Sequence, residues 1–114
     1  MKVYISQGMS GKTPQEIARE RVEASFGVGV SFPESKLTFV PKLTQYLDRQ
    51  PVYSVAKALE QMDGADLVCF MPDWDKYPNC RLEREAAEIY GYQIVDMDTD
   101  GNGSFGCPAG QMSL

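Results

Sequence analysis

Leu67-Val68-Cys69-Phe70-Met71 is an unbroken apolar run that fits a strand and is too short for a helix. A strand that is apolar on both sides must be covered on both sides. That is the situation of a central strand in a parallel sheet with helices above and below it. The flanking sequence agrees. Ahead of the run, Val55, Ala58, Leu59 and Met62 recur at helical spacing from about Tyr53 until Gly64. Behind it, a loop over 72–78 leads into a helix from about Asn79. Leu82, Ala86, Ile89 and Tyr90 are its expected buried stripe, Gly91 is its stop, and 92–95 follows as a strand.

The N-terminal half continues the alternation. Residues 2–6 read as a buried strand, broken by Gln7-Gly8-Met9-Ser10-Gly11. Thr13-Pro14-Gln15-Glu16 supplies an N-cap, a proline at the first helical position and a capping-box glutamate. Ile17, Ala18, Val22 and Phe26 fall at helical spacing, and Gly27 is expected to end that helix. Residues 28–32 alternate apolar with small residues and are expected to form the second strand. Residues 34–51 show no clean period. The order predicts one α/β domain over 1–97, a parallel sheet with helices on both faces, followed by a Gly-rich polar tail over 98–114. Ligands of such sheets bind at the carboxyl ends of the strands, which singles out the loops 6–12 and 71–83.

Composition narrows the chemistry. The chain has 114 residues and a net charge of −5, which argues against binding to nucleic-acid backbones. It contains no His, so the usual general base and every dyad or zinc site built on imidazole are ruled out. Three Cys, at 69, 80 and 107, cannot all pair within one chain and show no C-x-x-C spacing, as expected for free thiols in a reducing compartment. No apolar stretch approaches a membrane span, and a soluble cytoplasmic protein is the expectation.

Two motifs fail on inspection. Gly8-Met9-Ser10-Gly11-Lys12-Thr13 ends like a phosphate loop, but Ser6 stands where the first glycine is required. What survives is a small-residue turn opening a helix, which offers backbone N–H groups to an anion. Asp96, Asp98, Asp100 and Gly101 match half of a calcium loop, yet Cys107 occupies the position of the bidentate glutamate. A third constellation carries more. Trp74, Asn79, Cys80, Arg81 and Glu83 crowd the loop and first helical turn after the central strand. There a helix N-terminus is expected to keep Glu83 ionised, as a carboxylate nucleophile needs. Arg81 and Lys12 can hold a phosphate, and Trp74 or Tyr77 can stack on a planar base.

Residues 2–13, then Ala65-Asp66-Leu67-Val68, then Trp74 and Asn79-Cys80-Arg81-Leu82-Glu83 through Ala87 to Gly91, resemble the nucleoside 2-deoxyribosyltransferase-like superfamily, closest to its small bacterial and phage members. The specific element is a glutamate followed by alanine four positions on and glycine eight positions on, here Glu83, Ala87 and Gly91. The resemblance covers about residues 2–96 and is poor over 28–54. It implies a three-layer, flavodoxin-like fold and a glutamate nucleophile, Glu83, that attacks the anomeric carbon of a deoxyribosyl unit. Tyr4, on the first strand, would hydrogen-bond that glutamate. The chain departs from the pattern at Ala58, where the superfamily's enzymes carry an aspartate. It departs again at Tyr77, where they carry aspartate or serine, and at Gln7-Gly8, where glycine-proline is usual.

The resulting expectation is cleavage of an N-glycosidic bond in a deoxyribonucleoside or its 5′-monophosphate, with hydrolysis or transfer to a second base. Asp73 or Asp75 would stand in as the acid for the leaving base. Ser6, Gly8, Met9, Lys12, Trp74, Tyr77, Asn79 and Arg81 are the expected substrate contacts. No metal or organic cofactor is called for, because the departing base accepts the charge. A homo-oligomer is implied by the resemblance. The alternative is a nucleotide-binding or accessory protein without turnover.

Overall fold

A computed structural model describes residues 1–33, 36–41, 49–99 and 103–105. In chain order the elements are β1 (Lys2–Ser6), α1 (Pro14–Ser31), β2 (Thr38–Phe39), α2 (Pro51–Met62), β3 (Leu67–Phe70), a 3₁₀ turn (Trp74–Lys76), α3 (Pro78–Ile89), β4 (Gln93–Met97) and β5 (Gly103–Phe105). The sheet order is β2-β1-β3-β4-β5. β1 pairs in parallel with β2 and β3, and β3 with β4. β5 closes the far edge antiparallel to β4, with Val95 opposite Phe105. A connection as short as 98–102 can make only a hairpin, since a parallel crossover needs a dozen residues or more.

The two faces follow the period of two along each strand. Val3, Ile5, Leu67, Cys69, Val95 and Met97 point to one side, where Ala24 and Val28 of α1 cover them. Tyr4, Val68, Phe70 and Ile94 point to the other, against Met62 of α2 and Ala87 of α3. The fold is therefore three-layered α/β with the 2-1-3-4-5 strand order of flavodoxin-like proteins.

The expected second strand over 28–32 is instead the last part of α1. Ala24, Gly27 and Val28 fall three and four residues apart and lie against the sheet, so Gly27 is a packing position and does not end the helix. The helix stops only where the Phe32 N–H bonds the Val28 carbonyl. The true β2 lies ten residues later, inside the stretch without a period. Its ends are fixed by Thr38 N–H to Met1 O and Val40 N–H to Val3 O at 2.7 and 2.8 Å.

The expected helical stripes also need correction. In α1, Ala18, Val22 and Phe26 face solvent. In α3, Leu82 and Ile89 are exposed, as is Tyr90 just past its end. The face of α3 that meets the sheet is Asn79, Cys80, Glu83, Arg84 and Ala87. α2 matches its prediction, with Val55, Ala58 and Met62 buried. Residues 103–105, expected within a polar tail, form β5. Asp96 of the half calcium loop is bonded to Arg84, and Asp100 lies outside the described residues.

A buried carboxylate at the strand switch point

The order of the sheet reverses between β1 and β3, and at that point two neighbouring strands send their chains in opposite directions. Ser6 ends β1 and Phe70 ends β3 at this edge. The loop 7–12 and the loop 71–77 both leave from it, and α3 begins above it.

The first turns of α3 bring the centre together. Pro78 sets the first helical position, and Tyr77 N-caps without a side-chain bond. Asn79 and Glu83, one turn apart, then face β1. The Tyr4 hydroxyl donates to Glu83 Oε1 at 2.6 Å, and Asn79 Nδ2 donates to Glu83 Oε2 at 3.1 Å. The Ser6 hydroxyl faces the same carboxylate without a well-formed bond to it.

Glu83 is fully buried. The helix terminus was expected to hold it ionised, but desolvation dominates and raises its pKa to about 7, against the lowering effect of the bonds from Tyr4 and Asn79 and of the nearby Ser6 hydroxyl. Near neutrality the group is thus divided between acid and carboxylate. Burial and then the neighbouring Glu83 push Tyr4 far above its ordinary value, so its phenol stays a donor. Burial likewise raises the Cys80 thiol to about 12.

A second layer fixes these groups. Gln7, nearly fully buried, donates to the Ile17 carbonyl and to Glu20, both at 3.0 Å, and so ties the loop after β1 to α1. Its own carbonyl accepts from Asn79 at 3.4 Å. Arg21 bonds the Val40 carbonyl at 3.0 Å, and burial lowers its pKa. Arg84, one residue past Glu83, lies over the Phe70 and Trp74 rings at 5.0 and 4.9 Å and forks onto Asp96. It also bonds Glu88 at 3.0 Å.

The expected contact residues sort as follows. Tyr4, Ser6, Gly8, Asn79 and Glu83 converge, with Tyr77 packed directly on Gly8. A methyl group placed on Gly8 would sit 2.2 Å from Cγ of the Tyr77 ring. Met9 is half-buried in the turn closed by the Lys12 N–H to Met9 carbonyl bond. Lys12 is already committed. Its ammonium pairs with Glu20 at 2.9 Å and Asp73 at 3.4 Å and lies 4.9 Å from the centre of the Tyr77 ring. Burial opposes its charge, and the two carboxylates outweigh it, leaving the pKa above its ordinary value. Trp74 stacks inward on Arg84. Asp75 and Arg81 are exposed. Ala58 is buried on α2 and brings no polar group.

Sequence reading missed Glu20, Arg21 and Arg84, and gave Gln7 and Asp96 no part in this centre. The available signal was the density of charged and amide residues beside elements that should be apolar. Among the described residues no group of three acidic or sulfur ligands is placed to hold a metal ion, and no helix is long and apolar enough to cross a membrane. Comparison with protein-family models, with curated proteins and with solved structures returns no match.

Proposed function

We propose that this protein cleaves the N-glycosidic bond of 2-deoxyribonucleosides, with Glu83 as nucleophile. The observation that carries this reading is the Tyr4–Glu83 hydrogen bond at the strand switch point: a buried carboxylate near pKa 7, oriented by a phenol and an amide. Such a group is a nucleophile in its ionised form, and displacement from the glycosyl ester returns it in that form. Glu83 attacks the anomeric carbon and the bond to the base breaks, giving a glycosyl ester. Water or a second base then displaces the glutamate, in the double displacement of retaining glycoside chemistry. Asp73, which reaches this edge beside Lys12, is the better placed acid for the leaving base, since Asp75 points to the exposed side of the turn.

Nucleosides fit better than their monophosphates. Lys12 is held by two carboxylates, so an incoming phosphate meets a local excess of negative charge, and Arg81 stands out in solvent. Chromatography of base release across a panel of 2-deoxynucleosides and 5′-monophosphates tests the reading. Release that disappears in Glu83→Ala supports it, and parental release in that variant refutes it.

The complete burial of Glu83 favours a second reading, binding without turnover. On that reading the parent releases no base and Glu83→Gln binds a nucleoside as well as the parent does. A homo-oligomer has a surface available in α1, where Val22, Phe26 and Val30 are 69%, 75% and 59% exposed along one stripe.

A further inference from the structure

We propose that Tyr77 is the gate of this centre: its ring, seated on Gly8, seals Glu83 from solvent, and the segment 72–77 must lift before a ligand reaches the carboxylate. This rests on the reading of Tyr4, Glu83 and Asn79 as the reacting group. Three observations lead to it. Glu83 and Cys80, both at the start of α3, have no exposed surface. The Tyr77 ring lies so close over Gly8 that no side chain fits between them. Gly8 has no positive φ, so its need for glycine is set by the ring above it and not by its backbone.

The segment is also built to move. Tyr77 is only half-buried, and it is held from the side by the Lys12 ammonium over its ring and by the partly exposed Lys12–Asp73 pair. Water reaches this pair at Asp73, whose side chain is 35% exposed, so it is partly screened by solvent and salt. Within the segment only Trp74 packs against an apolar cluster, edge-on to Phe70 and beside Arg84, and it is the pivot about which the rest lifts. Lifting the ring vacates a slot as thick as an aromatic ring, with the Gly8 backbone as its floor. A planar heteroaromatic base is the ligand class of that shape. Tyr77 can then close on the base instead of on Gly8, and so selects flat leaving groups.

Thiol labelling tests the gate without turnover. Cys80 is fully buried beside Glu83 and Ser6, whereas Cys69 lies on the other face of the sheet under α1, so Cys69 reports opening of the whole fold. N-ethylmaleimide labelling is followed by peptide mass spectrometry. Cys80 in Gly8→Ala and in Tyr77→Ala should label at least ten-fold faster than in the parent, with Cys69 unchanged. Tyr77→Phe should keep the parental rate, because the ring and not the hydroxyl makes the seal. The double variant should label no faster than the faster single one. Parental protection of Cys80 in both single variants, equal acceleration of Cys69 and Cys80 in both, or multiplied accelerations in the double variant would overturn the gate. Base release is scored separately, so a working gate with no turnover refutes only the catalytic reading.

Discussion

The phenol of Tyr4 and the carboxylate of Glu83 lie 2.6 Å apart although 79 residues separate them in the chain. β1 supplies one and the second turn of α3 the other, so the bond exists only when the sheet and its covering helix are assembled. It offsets part of the desolvation that raises Glu83. Tyr4→Phe removes this donor and leaves the burial. The pKa of Glu83 should rise further, and the pH profile of base release should move to higher pH. Loss of a hydrogen bond to a buried charged group should cost about 1.5–3 kcal/mol, measured by urea unfolding at pH 8.

Glu83 also sets how stability varies with pH. Its folded pKa of about 7 lies above the ordinary 4.5, so the folded state holds the proton more tightly than the unfolded state. The stabilisation is fully present below about pH 4.5 and is lost as pH rises through 7, amounting in full to about 3 kcal/mol. Activity runs the other way, since the nucleophile is the ionised form. Glu83→Gln should flatten this part of the stability profile and be more stable than the parent at pH 8. Urea midpoints from pH 5 to 8 check it, and a parental slope in the variant would contradict the assignment.

Where sequence patterning succeeded and where it failed has one physical cause. β1, β3, β4 and α2 bury apolar side chains at the period of their elements, so their positions could be read directly. α3 buries Asn79, Glu83 and Arg84 by pairing each with a partner and leaves Leu82 and Ile89 outside, so a hydrophobic stripe pointed to the wrong face. α1 is apolar on two sides, and its glycines imitate a stop. Glu83 could be named from its place in the first turns of the helix after the central strand, and Tyr4 only through the resemblance. The pairs of Gln7 with Glu20 and of Arg84 with Asp96 depend on which loops meet, which no local pattern encodes.

Arg84 should report on Trp74, the only tryptophan in the chain. Its guanidinium lies over that ring and is fixed by Asp96 and Glu88. Burial opposes its charge, but the two carboxylates raise its pKa, so it remains charged throughout the usual range. Arg84→Met keeps most of the volume and removes the cation. The Trp74 emission should change in intensity and become more accessible to acrylamide, with a loss of about 1–3 kcal/mol because the charge-assisted Arg84–Asp96 bonds are gone. An unchanged tryptophan signal would show that the stack does not hold the ring.

The α1 stripe predicts association. Val22, Phe26 and Val30 stand one turn apart on the solvent side, and Gly29 beside them has open space around it. Exposed apolar surface of this kind marks interfaces. If two copies meet there, Phe26→Asp should convert a dimer to a monomer by light scattering at micromolar concentration, with little change in thermal midpoint beyond that of dissociation. A dimer that survives the substitution would place the interface elsewhere.

Lys12 separates nucleoside from nucleotide recognition. If it anchored a 5′-phosphate, Lys12→Met would remove a charge-assisted bond worth about 1.5–3 kcal/mol and lower the monophosphate-to-nucleoside ratio of kcat/KM by roughly 10- to 150-fold. The geometry predicts otherwise. The ammonium is spent on Glu20 and Asp73 and on the Tyr77 ring, so its removal leaves those carboxylates facing each other without a counter-ion. Both substrates should then suffer together, through a loosened 72–77 segment, and the ratio should stay within about three-fold. Stability should fall, and it should fall less when Glu20→Gln is added, because one of the two unpaired carboxylates is then gone. A selective loss with monophosphates alone would mean that phosphate displaces Asp73 from Lys12, and nucleotides would replace nucleosides as the substrate class.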